Sequence, residues 1–354
     1  MIFLPHTVVD HGQRLVDVRR SQWHLSFLKV EQAHRIAQGE GVTVAIIDTG
    51  VEEHPDLAGN LLPGTVVDTS ATGDGHKDSV GHGTAMAGLV AAHGHGQDEG
   101  ALGLAPRSKI LPIVDNATGR QGDGRYTAAG VRWAIEHRAD VINISSHGGH
   151  TPELEEAVEA AIDADIVVVS GVGNRPTQRV VGFPAFYPGV LAVGATDRTG
   201  DAADLSVRGD RVMITAPGVD IMTTRPNARY EAGSGTSDST AIVSGAVALV
   251  RSRYPQLSAS EVIRRITSTA TDKGPPGRDD QYGYGVLNLV AALTADLPPS
   301  ATPTPAAASS PPEQSPGGSW WVAVGGLVVV AVVITAFAIH VRARRHRRPR
   351  GPVA

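Results

Sequence analysis

Five short apolar runs recur through the middle of the chain: VTVAIID (42–48), SKILPIV (108–114), DVINIS (140–145), DIVVVSG (165–171) and GVLAVGA (189–195). Each is rich in β-branched residues and close to continuously apolar rather than alternating. That is the pattern of parallel strands buried on both faces. Between them lie segments with a helical period, TAAGVRWAIEHR (127–138) and PELEEAVEAAIDA (152–164). Strand–helix alternation predicts right-handed crossovers and an α/β fold: a doubly wound, mainly parallel sheet with flanking helices. In such a sheet the functional site forms at the carboxyl ends of the strands.

The periodicity stops near residue 296. LPPSATPTPAAASSPPEQSPGGS is too poor in large apolar residues to fold and reads as an extended linker, 297–319. It is followed by twenty uncharged residues, Trp320 to Ile339. As a helix these span about 30 Å, the thickness of a hydrocarbon core, with tryptophans at one interface and arginines at the other. The sequence therefore predicts one C-terminal transmembrane helix (320–341) in contact with the lipid bilayer, and a basic tail (342–354). The folded body occupies 41–296, preceded by an N-terminal extension, 1–40.

Charge refines this picture. The chain of 354 residues carries a net charge of −5, and six arginines fall within residues 342–350. Without them the rest carries about −11 on the same count, which argues against a nucleic-acid partner. By the positive-inside rule the tail is cytoplasmic and the body lies outside the cell membrane. The first twenty residues show no signal peptide, so the expectation is that the natural start lies upstream. Cysteine is absent, which excludes disulfides and thiolate chemistry.

Three residues at element ends stand out. Asp48 closes VTVAIID, His82 opens the helical run in GHGTAMAG, and Ser237 precedes the run TAIVSGAVALV. Taken singly, each has a plain structural reading: a turn cap, a satisfied polar side chain and a helix N-cap. Taken together, the chain order Asp, His, Ser with glycine beside each is one of the known orders of a catalytic triad.

AIIDTGVEEHPDL, GHGTAMAG and GTSDSTAIVSG resemble the three signatures of the subtilisin-like serine proteases, the subtilases, over roughly residues 20–295. GLAP at Gly103, VINIS at Val141, APG at Ala216 and YGYGVLNLVAAL at Tyr282 add to the likeness. The resemblance implies an endopeptidase acting on peptide and protein substrates through an acyl-enzyme. Ser237 is then the nucleophile, His82 the general base and Asp48 its orienting carboxylate, with Gly235 turning the chain into the helix. It further implies that Asn174, in VVVSGVGN, completes an oxyanion hole. Ser145, Ser146, His147 and Gly148, with Gly171, Val172 and Gly173, would line the substrate cleft. His147 stands where the family usually has glycine. After the serine the family usually reads Met-Ala-Ala-Pro; here Asp238-Ser239-Thr240-Ala241 follows. The lost proline predicts a straighter helix, and Asp238 is expected on the helix shoulder, away from the cleft, favoured by the N-terminal dipole.

A tethered subtilase with a Pro-rich spacer, one span and a basic tail resembles the mycosins of type VII secretion. This implies secretion components as further partners and an N-terminal extension that wraps the domain. No cofactor is required. Subtilases often bind structural calcium, but no carboxylate-rich loop is assignable here, and no metal ligands are assigned. His93, His95, His147 and His150 read as solvated loop residues rather than a zinc site. Two alternatives are weighed: a weak or inactive subtilase-like scaffold at the membrane, which Asp238 alone favours, and an esterase, which the missing Gly-x-Ser-x-Gly elbow disfavours.

Overall fold

The computed structural model describes residues 8, 9 and 15–298, except 97, 120, 121 and 147. Residues 299–319 of the predicted linker, the transmembrane helix, the tail and His147 lie outside the described residues. Among the described residues no helix is long and apolar enough to cross a membrane.

The first described elements are a two-residue strand, β1 (Val8–Val9), and three short helices, α1 (Leu15–Ser21), α2 (Trp23–Phe27) and α3 (Val30–His34). β2 (Thr43–Asp48), β3 (Thr65–Val66), α4 (His82–Ala91), β4 (Lys109–Val114) and α5 (Gly124–Glu136) follow. Next come β5 (Val141–Ile144), α6 (Pro152–Asp163), β6 (Val167–Gly171), β7 (Leu191–Thr196) and β8 (Ile214–Pro217). A hairpin of β9 (Ile221–Arg225) and β10 (Arg229–Gly233) leads into α7 (Thr236–Arg253), α8 (Ala259–Ser268) and α9 (Leu289–Thr294).

Seven strands form one parallel sheet in the order β3-β4-β2-β5-β6-β7-β8. The five apolar runs supply its centre. Side chains alternate across β2: Val44 and Ile46 enter the core beneath α4 and α7, while Ala45 and Ile47 enter the core beneath α5 and α6. The chain leaves β2 for β3 and β4 on one side, then returns to β5 on the other. The switch point therefore lies at the carboxyl ends of β2 and β5, where a crevice is expected. A second, antiparallel sheet has the order β1-β10-β9.

The helices differ by face. α5 and α6 are amphipathic and capped in the standard way: Asp123 accepts the Arg125 N–H, and Thr151 accepts the Leu154 N–H ahead of Pro152. α4 and α7 are buried nearly all round. α7 runs unbroken for 18 residues, consistent with the absent proline. Val18 of α1, Leu28 just after α2, and Val30 and Ala33 of α3 join the same core as α7.

Candidate active site

Asp48 is the last residue of β2 and is buried. His82 is the first residue of α4, brought in by Gly81 in the left-handed region at φ 87°. The imidazole Nδ1–H donates to the Asp48 carboxylate, with separations of 2.7 and 2.9 Å to its two oxygens. The chain makes this contact by letting α4 lie directly on the turn after β2. A Cβ on Gly83 would sit 2.1 Å from the Gly50 carbonyl oxygen, so only glycine fits there.

A second buried carboxylate ties the same two segments together. Asp78 accepts from Thr49 Oγ1 (2.8 Å), Gly81 N (2.7 Å), Thr84 N (2.9 Å) and Thr84 Oγ1 (2.7 Å). Thr49 Oγ1 in turn accepts the Gly83 N–H at 3.0 Å. Sequence reasoning missed Asp78. Its signal was present in DSVGHGT, an aspartate placed to satisfy the orphan N–H groups of the helix that starts with His82.

Ser237 is the second residue of α7. Its hydroxyl donates to the Ser145 carbonyl at 2.9 Å, and Ser145 Oγ donates back to the Ser237 carbonyl at 3.2 Å. Asn143 joins this link: its Nδ2 donates to Ser145 Oγ (3.0 Å) and its Oδ1 accepts from Ser244 Oγ (3.0 Å). The start of α7 is thus pinned to the end of β5. Gly235 has φ 176° and ψ 163°, an extended conformation open to any residue. The expected role in turning the chain is not needed. Its missing side chain instead leaves a small space: a Cβ there would meet Asn174 Nδ2 at 3.4 Å, Asp238 Oδ2 at 3.6 Å and Ser237 N at 3.6 Å.

Asn174 follows β6. Its Oδ1 accepts the Thr236 N–H at 2.9 Å, capping α7 from another element and leaving Nδ2 directed at the space beside Gly235. Gln178 fixes the Asn174 backbone: Gln178 Oε1 accepts the Asn174 N–H at 2.8 Å, and a Cβ on Gly173 would collide with that oxygen at 2.2 Å. Gly171 packs against Thr236 and Thr240 of α7, where a Cβ would come within 3.0 Å of both hydroxyls.

The structure thus joins Asp48 to His82, joins Ser237 to Ser145 at the end of β5, and sets Asn174 and Gly171 against Thr236 beside Ser237. Two expectations change, those for Val172 and Asp238. Val172 is fully buried and packs with Val181, Ala192 and Val207, so its side chain does not line a cleft. The Gly148 N–H is taken by the Phe183 carbonyl at 3.2 Å; Ser146, one residue past Ser145, is partly buried. Asp238 is buried, not on an outer shoulder, and its carboxylate lies on the side of Gly233 and Gly235.

Electrostatics follow from these positions. Burial works to lower the His82 pKa, but the Asp48 charge and hydrogen bond, aided by the Asp238 charge, raise it above its ordinary value. Burial pushes Asp238 up to about 6, against the opposing pull of His82 and Arg225. Asp115, one residue beyond β4, was also missed by the sequence reading. Burial pushes it up to about 7, although Thr127 Oγ1 donates to it at 2.7 Å. Among the described residues its Oδ1 has no hydrogen-bond partner.

Of the histidines expected to be solvated, His93 and His150 are exposed, the first meeting the Ala58 and Gly94 carbonyls and the second Tyr187 Oη at 3.0 Å, while His95 pairs with the buried Asp56. Among the described residues no group of three His, Asp or Glu side chains is arranged to hold a metal ion.

The sequence profile of the subtilase family matches residues 39–285, which takes in every side chain of this site. The chain is a subtilase. Among curated relatives, this subtilase is 39% identical to a thermostable alkaline protease of Halalkalibacterium halodurans over 272 residues, 75% of this chain and 72% of that protein. It is 39% identical to subtilisin DY of Bacillus licheniformis over 263 residues, 72% of this chain and 92% of that protein. It therefore belongs with the subtilisin-type serine peptidases. Among solved structures it is similar to MycP1 from Mycobacterium smegmatis, with a TM-score of 0.73 at 28% identity, covering 84% of this chain and 90% of that one. It is also similar to the MycP3 protease from the type VII (ESX-3) secretion system, with a TM-score of 0.68 at 30% identity, covering 83% and 93%.

Proposed function

We propose that this subtilase is a membrane-anchored serine endopeptidase working through Ser237, His82 and Asp48. The observation that carries the reading is the Asp48–His82 pair at 2.7 Å, in a chain whose Ser237 stands in the first turn of a buried helix capped by Asn174. Neutral His82 takes the Ser237 proton through Nε2 once the hydroxyl turns from the Ser145 carbonyl. Oγ attacks the scissile carbonyl carbon, and the C=O electrons become an oxyanion received by Asn174 Nδ2 and the Ser237 N–H. The protonated His82 gives its proton to the leaving amine, and the C–N bond breaks. Water then hydrolyses the acyl-enzyme by the same exchange. Asp48 fixes the tautomer and steadies the imidazolium.

The location is part of the same proposal: one span at 320–341 in the bilayer, the peptidase domain extracytoplasmic, the arginine-rich tail inside. The charge asymmetry of the sequence supports it. The similarity to MycP1 and MycP3, proteases named for type VII secretion systems, supports substrates or partners in such a system.

The test is labelling of the full chain by a fluorophosphonate, with peptide mapping, beside turnover of Ser237→Ala. Label on Ser237 and loss of turnover in a variant with unchanged thermal unfolding are expected. Label elsewhere, or undiminished turnover, would refute the assignment. Protease shaving of spheroplasts with an epitope on each end tests the orientation: a protected peptidase domain with an accessible C-terminal epitope would reverse it.

A further inference from the structure

One charged group beside the site has no place in the scheme above. Asp238 directly follows the nucleophile, in the first turn of α7. A helical side chain there leans back toward the N-terminus, and the carboxylate accordingly lies against β10 and the residues that join it to α7. A Cβ on Gly233 would meet its oxygens at 3.4 and 3.6 Å. The point where a Cβ on Gly235 would sit is shared by Asp238 Oδ2, Asn174 Nδ2 and Ser237 N, at 3.6, 3.4 and 3.6 Å. The carboxylate and both proposed oxyanion donors therefore border one small space, which exists because residue 235 lacks a side chain.

The charged groups facing Asp238 are few. His82 comes from α4 and Arg225 from β9; both act on its ionisation, and its own backbone N–H bonds its carboxylate. Arg225 is already committed to Glu231 of β10 at 2.9 Å. From its place beside Ser237, the Asp238 charge adds to that of Asp48 in favouring the His82 imidazolium.

We infer that Asp238 is a positioning residue of the catalytic centre, whose negative charge sets the pH at which His82 becomes a working base. The inference rests on the proposed roles of Ser237 and His82. In the free enzyme the Asp238 charge favours the imidazolium, so His82 is freed as a base only at higher pH. In the transition state an imidazolium and an oxyanion are present together. One is stabilised by Asp238 and the other opposed, and the two effects largely cancel. Asp238 therefore moves the pH profile far more than it moves the plateau rate. A residue that merely capped the helix would shift neither.

The experiment is the pH dependence of kcat/KM for a peptide substrate, using the full chain and its Asp238→Asn and Asp238→Glu variants. Asp238→Asn should move the acid limb about half a pH unit or more toward acid, with plateau kcat changed by less than about tenfold. Asp238→Glu should return the limb toward its original position. An unmoved limb in a folded Asp238→Asn variant overturns the proposal, as does a hundredfold change in plateau. Should Asp238→Asn fail to fold, Asp238→Ser takes its place. A second readout does not depend on turnover: NMR titration of the His82 imidazole in Ser237→Ala, with and without Asp238→Asn. A lower His82 pKa without the carboxylate supports the coupling, and an identical pKa refutes it. Activity surviving Ser237→Ala would instead overturn the catalytic reading, separately from these shifts.

Discussion

Asp115 offers a direct measure of what burying a carboxylate costs this fold. It is 1% exposed, accepts from Thr127 Oγ1, and is pushed from its ordinary 3.8 to about 7. The folded protein then holds a proton on Asp115 that the unfolded chain releases above pH 4. Stability contributed by that proton is full below about pH 4 and is lost as pH rises toward 7. Three pH units correspond to about 4 kcal/mol. Asp115→Asn removes this dependence. The amide still leaves a buried polar group without a partner, at a cost of about 1–3 kcal/mol. The variant should therefore be no more stable than the parent at pH 4 and more stable by about 1–3 kcal/mol at pH 8. The assay is urea denaturation at pH 4, 6 and 8, with both proteins carrying Ser237→Ala to prevent self-digestion. Contributions from other buried groups, Asp238 included, are common to both proteins and cancel. A stability difference that stays constant from pH 4 to pH 8 would refute the reasoning.

Other expectations follow from the same geometry. Asn174→Ala should lower kcat by about 100- to 1,000-fold with little change in KM; single-turnover rates within tenfold of the parent would remove Asn174 from the oxyanion hole. Gly83→Ala places a Cβ 2.1 Å from the Gly50 carbonyl, with backbone on both sides unable to yield. It should cost about 1–3 kcal/mol and lower turnover by parting His82 from Asp48, as thermal unfolding and activity assays can show. Arg265 is buried and donates to the Ala292 and Ala295 carbonyls and to Tyr254 Oη. Arg265→Leu should destabilise by roughly 2–4 kcal/mol, lowering Tm while leaving kcat at 25 °C unchanged.

The sheet was legible because five buried strands leave apolar runs too short for helices and too continuous for a half-exposed sheet. The site was legible for a different reason. Asp48, His82 and Ser237 each sit at an element end, where the chain gives a side chain no neighbours of its own and glycines mark the close approaches. What escaped the sequence was set by distant contacts. Asp78 is an ordinary loop aspartate until α4 and the turn after β2 converge on it. Asp115 looks like a strand-end carboxylate, and nothing local shows that its Oδ1 will be left without a partner. Asp238 was placed on the wrong side of its helix, since the Gly233-to-Gly235 gap that admits its carboxylate belongs to another element. The pairing of β1 with β10 joins residues more than 200 positions apart and rests on two valines, too short a run to carry a periodic signal.

The helix that carries Ser237 in its first turn is buried along most of its length. For a peptidase, this has a consequence for how it ages. Segments that open locally in a protein are those with few buried contacts, and α7 is the reverse. Ser237 cannot be dislodged while the centre of the molecule stays assembled, and once that centre opens the chain becomes food for its intact neighbours. A warmed population should therefore divide into molecules at full activity and molecules reduced to fragments, with few of intermediate competence. Loss of activity and loss of full-length chain should then follow one clock, set by the rate of global unfolding.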